Sequence, residues 1–356
     1  PALVVMNDDK HVTAEFVALG EGEGEIPVEG EPVIVPGELV DVPAGTFQMG
    51  RPYADTGDSD EVPVHSVYLD AYRIGKYEVT NQEYADVLNW AYGRGYLKNS
   101  SGGAYTGGVI YAYNQPIADT ETSDSWSQLT YSGGVFGVRS REGHGGVLYS
   151  MADHPMTEVT WYGAVCYCNW LSEKNGLQAC YDTSNWTRYA PVRNGYRLPT
   201  EAEWERAAAW DGSRHWRYSM TSDTISFSRA NYYEDGFANP LGLTSPYTTP
   251  VGWYNGVNPA RVSTPGTLTV NATSPVGAYD MSGNAWEWCH DWWYREYTTE
   301  PVSNPTGPTS GSYRMLRGGS WSYYNRGTRS ADRDGDNPGS RLNILGFRVA
   351  VSVSSR

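Results

Sequence analysis

Positive charge is scarce in this 356-residue chain, with 26 Lys and Arg against 41 Asp and Glu and a net charge of −15. Phosphate backbones are bound by clustered cations that release counterions, so this balance argues against nucleic acid as a partner. The acidity reads instead as a charge that keeps the chain dissolved. Long apolar runs are also missing. No stretch approaches the ~18 residues that a membrane-spanning helix needs, so direct membrane insertion is not expected. Cysteine occurs only at 166, 168, 180 and 289, a pattern that fits neither a CxxC metal pair nor a dense disulfide framework. Cys166 and Cys168 would face different sides of one helix, so buried thiols or a single disulfide is the expectation. Phenylalanine is rare, 6 residues against 28 Tyr and 14 Trp, so much of the apolar surface carries a hydroxyl or indole N–H that must find a partner.

What is abundant is Gly, 40 residues, and Pro, 21, which favours short strands and turns over long helices. Residues 1–17 alternate as two short strands about an Asn-Asp-Asp-Lys turn, and 18–38 form a Gly, Glu and Pro linker or strap. The opening stretch resembles the last strands of repeat modules in bacterial surface proteins, which would make the chain part of something longer. The main domain is expected from Leu39 to Arg356. VDVPAGTFQMG reads as a strand and turn, and HSVYLDAYRIGKYEVT as strand. Thr80 should cap a helix with Gln82 to Trp90 supplying its apolar face. Residues 92–150 look like an inserted β excursion, with VIYAY and TYSGGVFGVRS as hairpin strands. A second helix is expected over Trp161–Lys174, closed by Asn175-Gly176. A third follows the capping box of Thr200 and Glu203.

Four blocks occur in order: VPAGTFQMG at 42–50, YRLPTEAEWERAA at 196–208, GNAWEW at 283–288 and LRGGSW at 316–321, closed by LGFRVA at 345–350. Together they resemble the formylglycine-generating-enzyme (sulfatase-modifying-factor) family. The resemblance implies an α+β domain, a variant of the C-type lectin fold with much irregular backbone. That enzyme uses copper and two cysteines shortly after its Gly-Gly-Ser motif. Here the corresponding stretch, GGSWSYYNRGTRS at 318–330, contains none. Hydroxyls cannot replace thiolates as soft ligands, so this chemistry is not expected. The resemblance also implies a structural calcium ion held by Asn231, Tyr232, Asp235 and Phe237 of ANYYEDGF, oxygen ligands suited to a hard cation. A second ion could use Asn284 and Glu287, or Glu287 could pair with a framework arginine.

The segment 317–348 resembles the variable segment of proteins diversified by retroelements that mutate adenines. In such a system an AAY codon yields many residues but never Lys, Glu, Gln, Met or Trp. Ser322, Tyr323, Tyr324, Gly327, Asp332, Asp334, Gly335, Asp336, Gly339, Ser340, Leu342, Asn343 and Ile344 all fall in the permitted set. Between them stand Arg317, Gly318, Gly319, Ser320, Trp321, Arg326, Arg329, Arg333, Arg341, Phe347 and Arg348. Arginine donors can bind loop carbonyls and fix irregular backbone whatever the neighbouring side chains are. The thirteen positions are therefore expected to form an exposed ligand-binding face. Tyr, Ser, Gly and Asn there would act as they do in antibody loops.

The reading is a non-catalytic display protein, secreted, on a cell surface or on a phage particle. Its partner would be a macromolecule, a protein or a surface glycan. The alternatives are an enzyme or a nonvariable accessory domain of the same family. For an enzyme, Glu287, His290 and Asp291 are the clustered titratable groups, though a framework role suits them better.

Overall fold

The computed structural model describes residues 37–54, 57–234, 239–244, 246–260 and 266–353. The strand pair and strap expected before Leu39 lie outside them, apart from Gly37 and Glu38. Val33–Arg356 form one compact unit.

Three helices stand where their capping residues place them. Helix α1, Asn81–Gly93, is capped by Thr80, whose side chain accepts from Glu83 N while the Glu83 carboxylate returns to Thr80 N. Helix α2, Trp161–Lys174, is capped by Thr160, which accepts from Gly163 N at 2.9 Å. Helix α3, Glu201–Ala209, has the reciprocal Thr200–Glu203 box. Every residue of α3 is buried, and so is α2 from Gly163 to Ser172, so tertiary packing rather than one apolar stripe holds them.

The first and last described strands share one antiparallel sheet in the order Leu39–Val42, Tyr72–Gly75, Ala350–Ser352, Tyr196–Arg197. The two ends of the domain are thus stitched together. A second sheet runs Asp334–Asp336, Arg314–Arg317, Trp286–Trp292, Leu345–Gly346, and this one carries the carboxy-terminal segment. HSVYLDAYRIG, which alternates like one strand, is broken into His65–Leu69 and Tyr72–Gly75. The first pairs with Gly45–Met49 and the second with Leu39–Val42. Within 92–150 the chain makes three hairpins, closing at Tyr113-Asn114, at Gly133-Gly134 and between Glu142 and Leu148. Gly133 and Gly134 take φ of 59° and 88°, the left-handed pair that a two-residue hairpin requires.

One core lies between α1 and α2, where the Tyr84 and Tyr167 rings stack at 5.6 Å and Phe347 meets both edge-on. Another packs α3 and Trp204 against Phe47 and Met315. Three of the fully buried indoles find acceptors: Trp161 Nε1 donates to Cys289 O at 2.9 Å, Trp288 Nε1 to Val159 O at 3.0 Å and Trp204 Nε1 to the Glu287 carboxylate at 2.8 Å. All four cysteines are free and buried.

Candidate ligand-binding face

The segment from Arg317 onward is irregular, and its backbone is held by buried guanidinium groups. Arg317 leaves its strand to bind the carbonyls of Ser330 at 2.9 Å and Ala331 at 3.1 Å, and also that of Asp332, while pairing with Glu205 of α3. Arg333 makes a two-pronged pair with Glu201 at 2.6 and 3.1 Å and donates to Asp60 O. Arg329 grips Glu61 and its own neighbour carbonyl, Arg326 O. Arg348 pairs with Glu287 and binds the carbonyls of Gly75 and Tyr279. Burial alone would raise the Glu205 carboxyl, but Arg317 and His215 hold it at about 2.

Other main-chain atoms of the segment are tied from the body of the domain or, at Asn343, from Trp321 within the segment. Tyr323 O accepts from Tyr233 N, Leu342 O from Glu158 N, Asn343 O from Trp321 Nε1 and Ile344 O from Trp286 N. These bonds use the backbone of the thirteen positions and leave their side chains out. At Gly319, φ is 73° and a Cβ would collide with the Gly327 carbonyl, so only glycine allows the two turns to approach there.

Ser322, Tyr323, Tyr324 and Leu342 are exposed. Asp334, Gly335, Asp336, Gly339, Ser340, Asn343 and Ile344 are half-buried. Gly327 and Asp332 depart from the expected exposure, for both are buried. Gly327 lies in the 3-10 turn Asn325–Thr328 under the Tyr323 side chain, and Asp332 is drawn in by Arg329 Nη2 at 3.0 Å. Burial pushes the Asp332 carboxyl up to about 8 even against Arg329. Gly335 is hemmed in as well, since a Cβ there would stand 2.8 Å from the Trp293 side chain. Ser322, Tyr323, Tyr324, Gly327, Asp332 and Asp334 line one cleft of about 450 Å³ together with Trp286. The other seven positions lie outside that cleft. Tyr323 rests edge-on against Trp286 at 5.2 Å, and Tyr324 against Tyr233 at 4.9 Å.

The cluster considered for catalysis does not converge. Both oxygens of Glu287 accept from Arg348, so the pairing with a framework arginine is the one the fold makes. Asn284 is likewise engaged by Glu78, Asn231 and Thr249. Asp291 accepts from Glu201 N, and His290 sits beside Tyr181 with its basicity suppressed by burial. In the expected calcium loop, Asp235 and Phe237 lie outside the described residues. Asn231 is buried and its Oδ1 has no hydrogen-bond partner among the described residues, while its Nδ2 donates to Tyr247 O at 2.9 Å and Asn284 Oδ1 at 3.1 Å. An acceptor left open in this way fits a cation.

Sequence reasoning missed Glu61, Glu201 and Glu205, the carboxylates that anchor the arginines. For Glu201 and Glu205 the signal available was the run of glutamates in TEAEWERAA among helix residues that otherwise read as core; for Glu61 there was none.

Such sheets, ends and irregular arginine-tied backbone define a C-type-lectin-like domain. The chain belongs to the formylglycine-generating-enzyme family: its residues 28–353 match the Sulfatase-modifying factor enzyme 1-like domain. It is 30% identical over 329 residues to the formylglycine-generating enzyme of Thermomonospora curvata, covering 88% of this chain and 93% of that one. It is 29% identical over 337 residues to the serine/threonine-protein kinase pkn1 of Chlamydia pneumoniae, covering 94% of this chain but only 40% of the kinase. The chain thus spans well under half the length of that relative. Among solved structures, Treponema denticola variable protein 1 shares the fold with a TM-score of 0.56 at 24% identity, covering 88% of this chain and 95% of that one.

Proposed function

We propose that this chain is a non-catalytic display protein whose segment 317–348 presents a diversified ligand-binding face. It acts on a cell surface, in secreted form or on a phage particle, and its partner is a macromolecule, a protein or a surface glycan. The observation that carries the reading is the division between backbone and side chain. Arg317, Arg329, Arg333 and Arg348 fix the main chain against buried glutamates, while Ser322, Tyr323, Tyr324 and Leu342 stay exposed. A loop held this way tolerates change at its surface. The name of the Treponema variable protein, which shares the fold, supports the same reading.

The copper and cysteine chemistry that the resemblance implies for the enzymes of the family needs reactive thiolates. Residues 318–330 hold no cysteine, and burial pushes the thiols of Cys166, Cys168, Cys180 and Cys289 up, away from the thiolate form. Calcium is proposed as a structural ion at Asn231, Tyr232, Asp235 and Phe237, with the open Asn231 Oδ1 as the supporting observation.

The gene's surroundings test the proposal. A reverse transcriptase and a near-identical repeat with AAY codons at the thirteen positions are expected. Their absence, together with copper-dependent oxidation of a cysteine peptide by the purified chain, would overturn it.

A further inference from the structure

Near the Arg341–Ile344 end of the segment, three carboxylates meet. Asp119 ends the strand Gln115–Asp119, Asp124 lies in the turn after it, and Glu158 comes from the loop before α2. One oxygen of each lies within 4.8 Å of the others. That is the span across a calcium ion, whose ligands stand about 2.3–2.6 Å from it. Asp119 Oδ1 accepts from Ser123 Oγ at 2.8 Å, and its Oδ2 lies 2.6 Å from Arg341 Nη1. Asp124 Oδ1 accepts from Trp126 N at 2.8 Å. Glu158 is different. It is only 3% exposed, and its Oε2 is buried with no hydrogen-bond partner among the described residues. A buried carboxylate oxygen with no donor has lost its hydration without replacement.

We propose that Asp119, Asp124 and Glu158 form a calcium site adjoining the variable segment. With all three ionised, the carboxylates and the one guanidinium leave two negative charges, which a divalent cation balances. The ligand set is oxygen only, which suits a hard cation and offers nothing to a soft one. The other acidic group in the described residues, Asp58, Glu61 and Asp332, is already supplied with positive charge, because Arg329 binds both Glu61 and Asp332. At Glu158 no donor plays that part.

The position of the site gives it a role. Asp119 is paired with Arg341, and Glu158 N donates to Leu342 O at 3.1 Å, so two of the three ligands already hold consecutive residues of the segment. An ion bound there fixes the turn that carries Ser340, Leu342 and Asn343 whatever those side chains are. The site stands whether or not the segment is diversified.

Equilibrium dialysis of the full chain, stripped with chelator and returned to calcium chloride, counts the ions bound per chain. E158Q and D124N are each expected to lose one ion relative to wild type, or to bind it at least ~10-fold more weakly. D235N, altered in the other proposed loop, is expected to keep the ion that E158Q loses. Equal calcium binding by wild type, E158Q and D124N would overturn the site, as would a wild type that binds none or a D235N chain that loses every ion. Should E158Q fail to fold by circular dichroism, D124N decides, because Asp124 is half-buried and bonds only within its own turn.

Discussion

Arg329 and Glu61, 268 residues apart, face each other through two parallel hydrogen bonds of 2.6 and 2.7 Å, with neither residue exposed. This pair moors the segment 317–348 to the amino-terminal part of the domain. Arg51 Nε also stands 3.1 Å from Glu61, and Asp332 also binds Arg329, so removing one partner leaves a buried charge only partly balanced, a loss of up to about 3–5 kcal/mol. E61A and R329A should each lower unfolding free energy by that amount in urea titration, and the double variant should lose less than the sum. Strict additivity would mean that the two residues do not act as a pair.

Burial, aided by Glu201, raises the Asp291 carboxyl to about 7 from an ordinary value near 3.8. Between those values the native state holds more protons than the unfolded chain, so this group makes stability fall as pH rises from about 4 to 7. D291N should flatten that part of the stability curve. Chemical unfolding of both proteins from pH 4 to 8 checks this, and parallel curves would refute the assignment.

Calcium bound by the native chain alone stabilises it by mass action. Chelator should therefore lower the melting temperature, and N231A should shrink the shift. Unchanged melting in chelator, with no calcium found by metal analysis, would remove the proposed ion.

The thirteen positions should not respond alike. Leu342→Tyr and Ser322→Tyr change exposed side chains and should cost within ~0.5 kcal/mol. Gly335→Tyr must displace Trp293 and should cost about 1–3 kcal/mol. Phe347→Ala, in a fully buried scaffold position, should cost about 3–5 kcal/mol. Thermal or urea unfolding of the four variants gives the order directly.

The helices were legible because their signals are local. Thr80 with Glu83, and Thr200 with Glu203, lie three residues apart and state the helix start in the sequence itself. The Gly133-Gly134 hairpin is of the same kind. The arginine scaffold was legible as a set of donors, but its acceptors were not, since Glu61, Glu201 and Glu205 reach Arg329, Arg333 and Arg317 across more than a hundred residues. Codon logic picked out Gly327 and Asp332 as changeable without seeing that a turn and an ion pair bury them. Asp119, Asp124 and Glu158 carry no spacing that would join them, and only the fold brings them together.

The central claim is that side chains on this face can change while the arginine scaffold cannot. The direct measurement is a library randomised at the thirteen codons, displayed and sorted for protease resistance, beside a second library randomised at Arg317, Arg329, Arg333 and Arg348. Most members of the first library should stay folded, with losses concentrated at Gly327, Asp332 and Gly335, and almost none of the second should survive. A first library that mostly fails to fold, or a second that mostly survives, would contradict it.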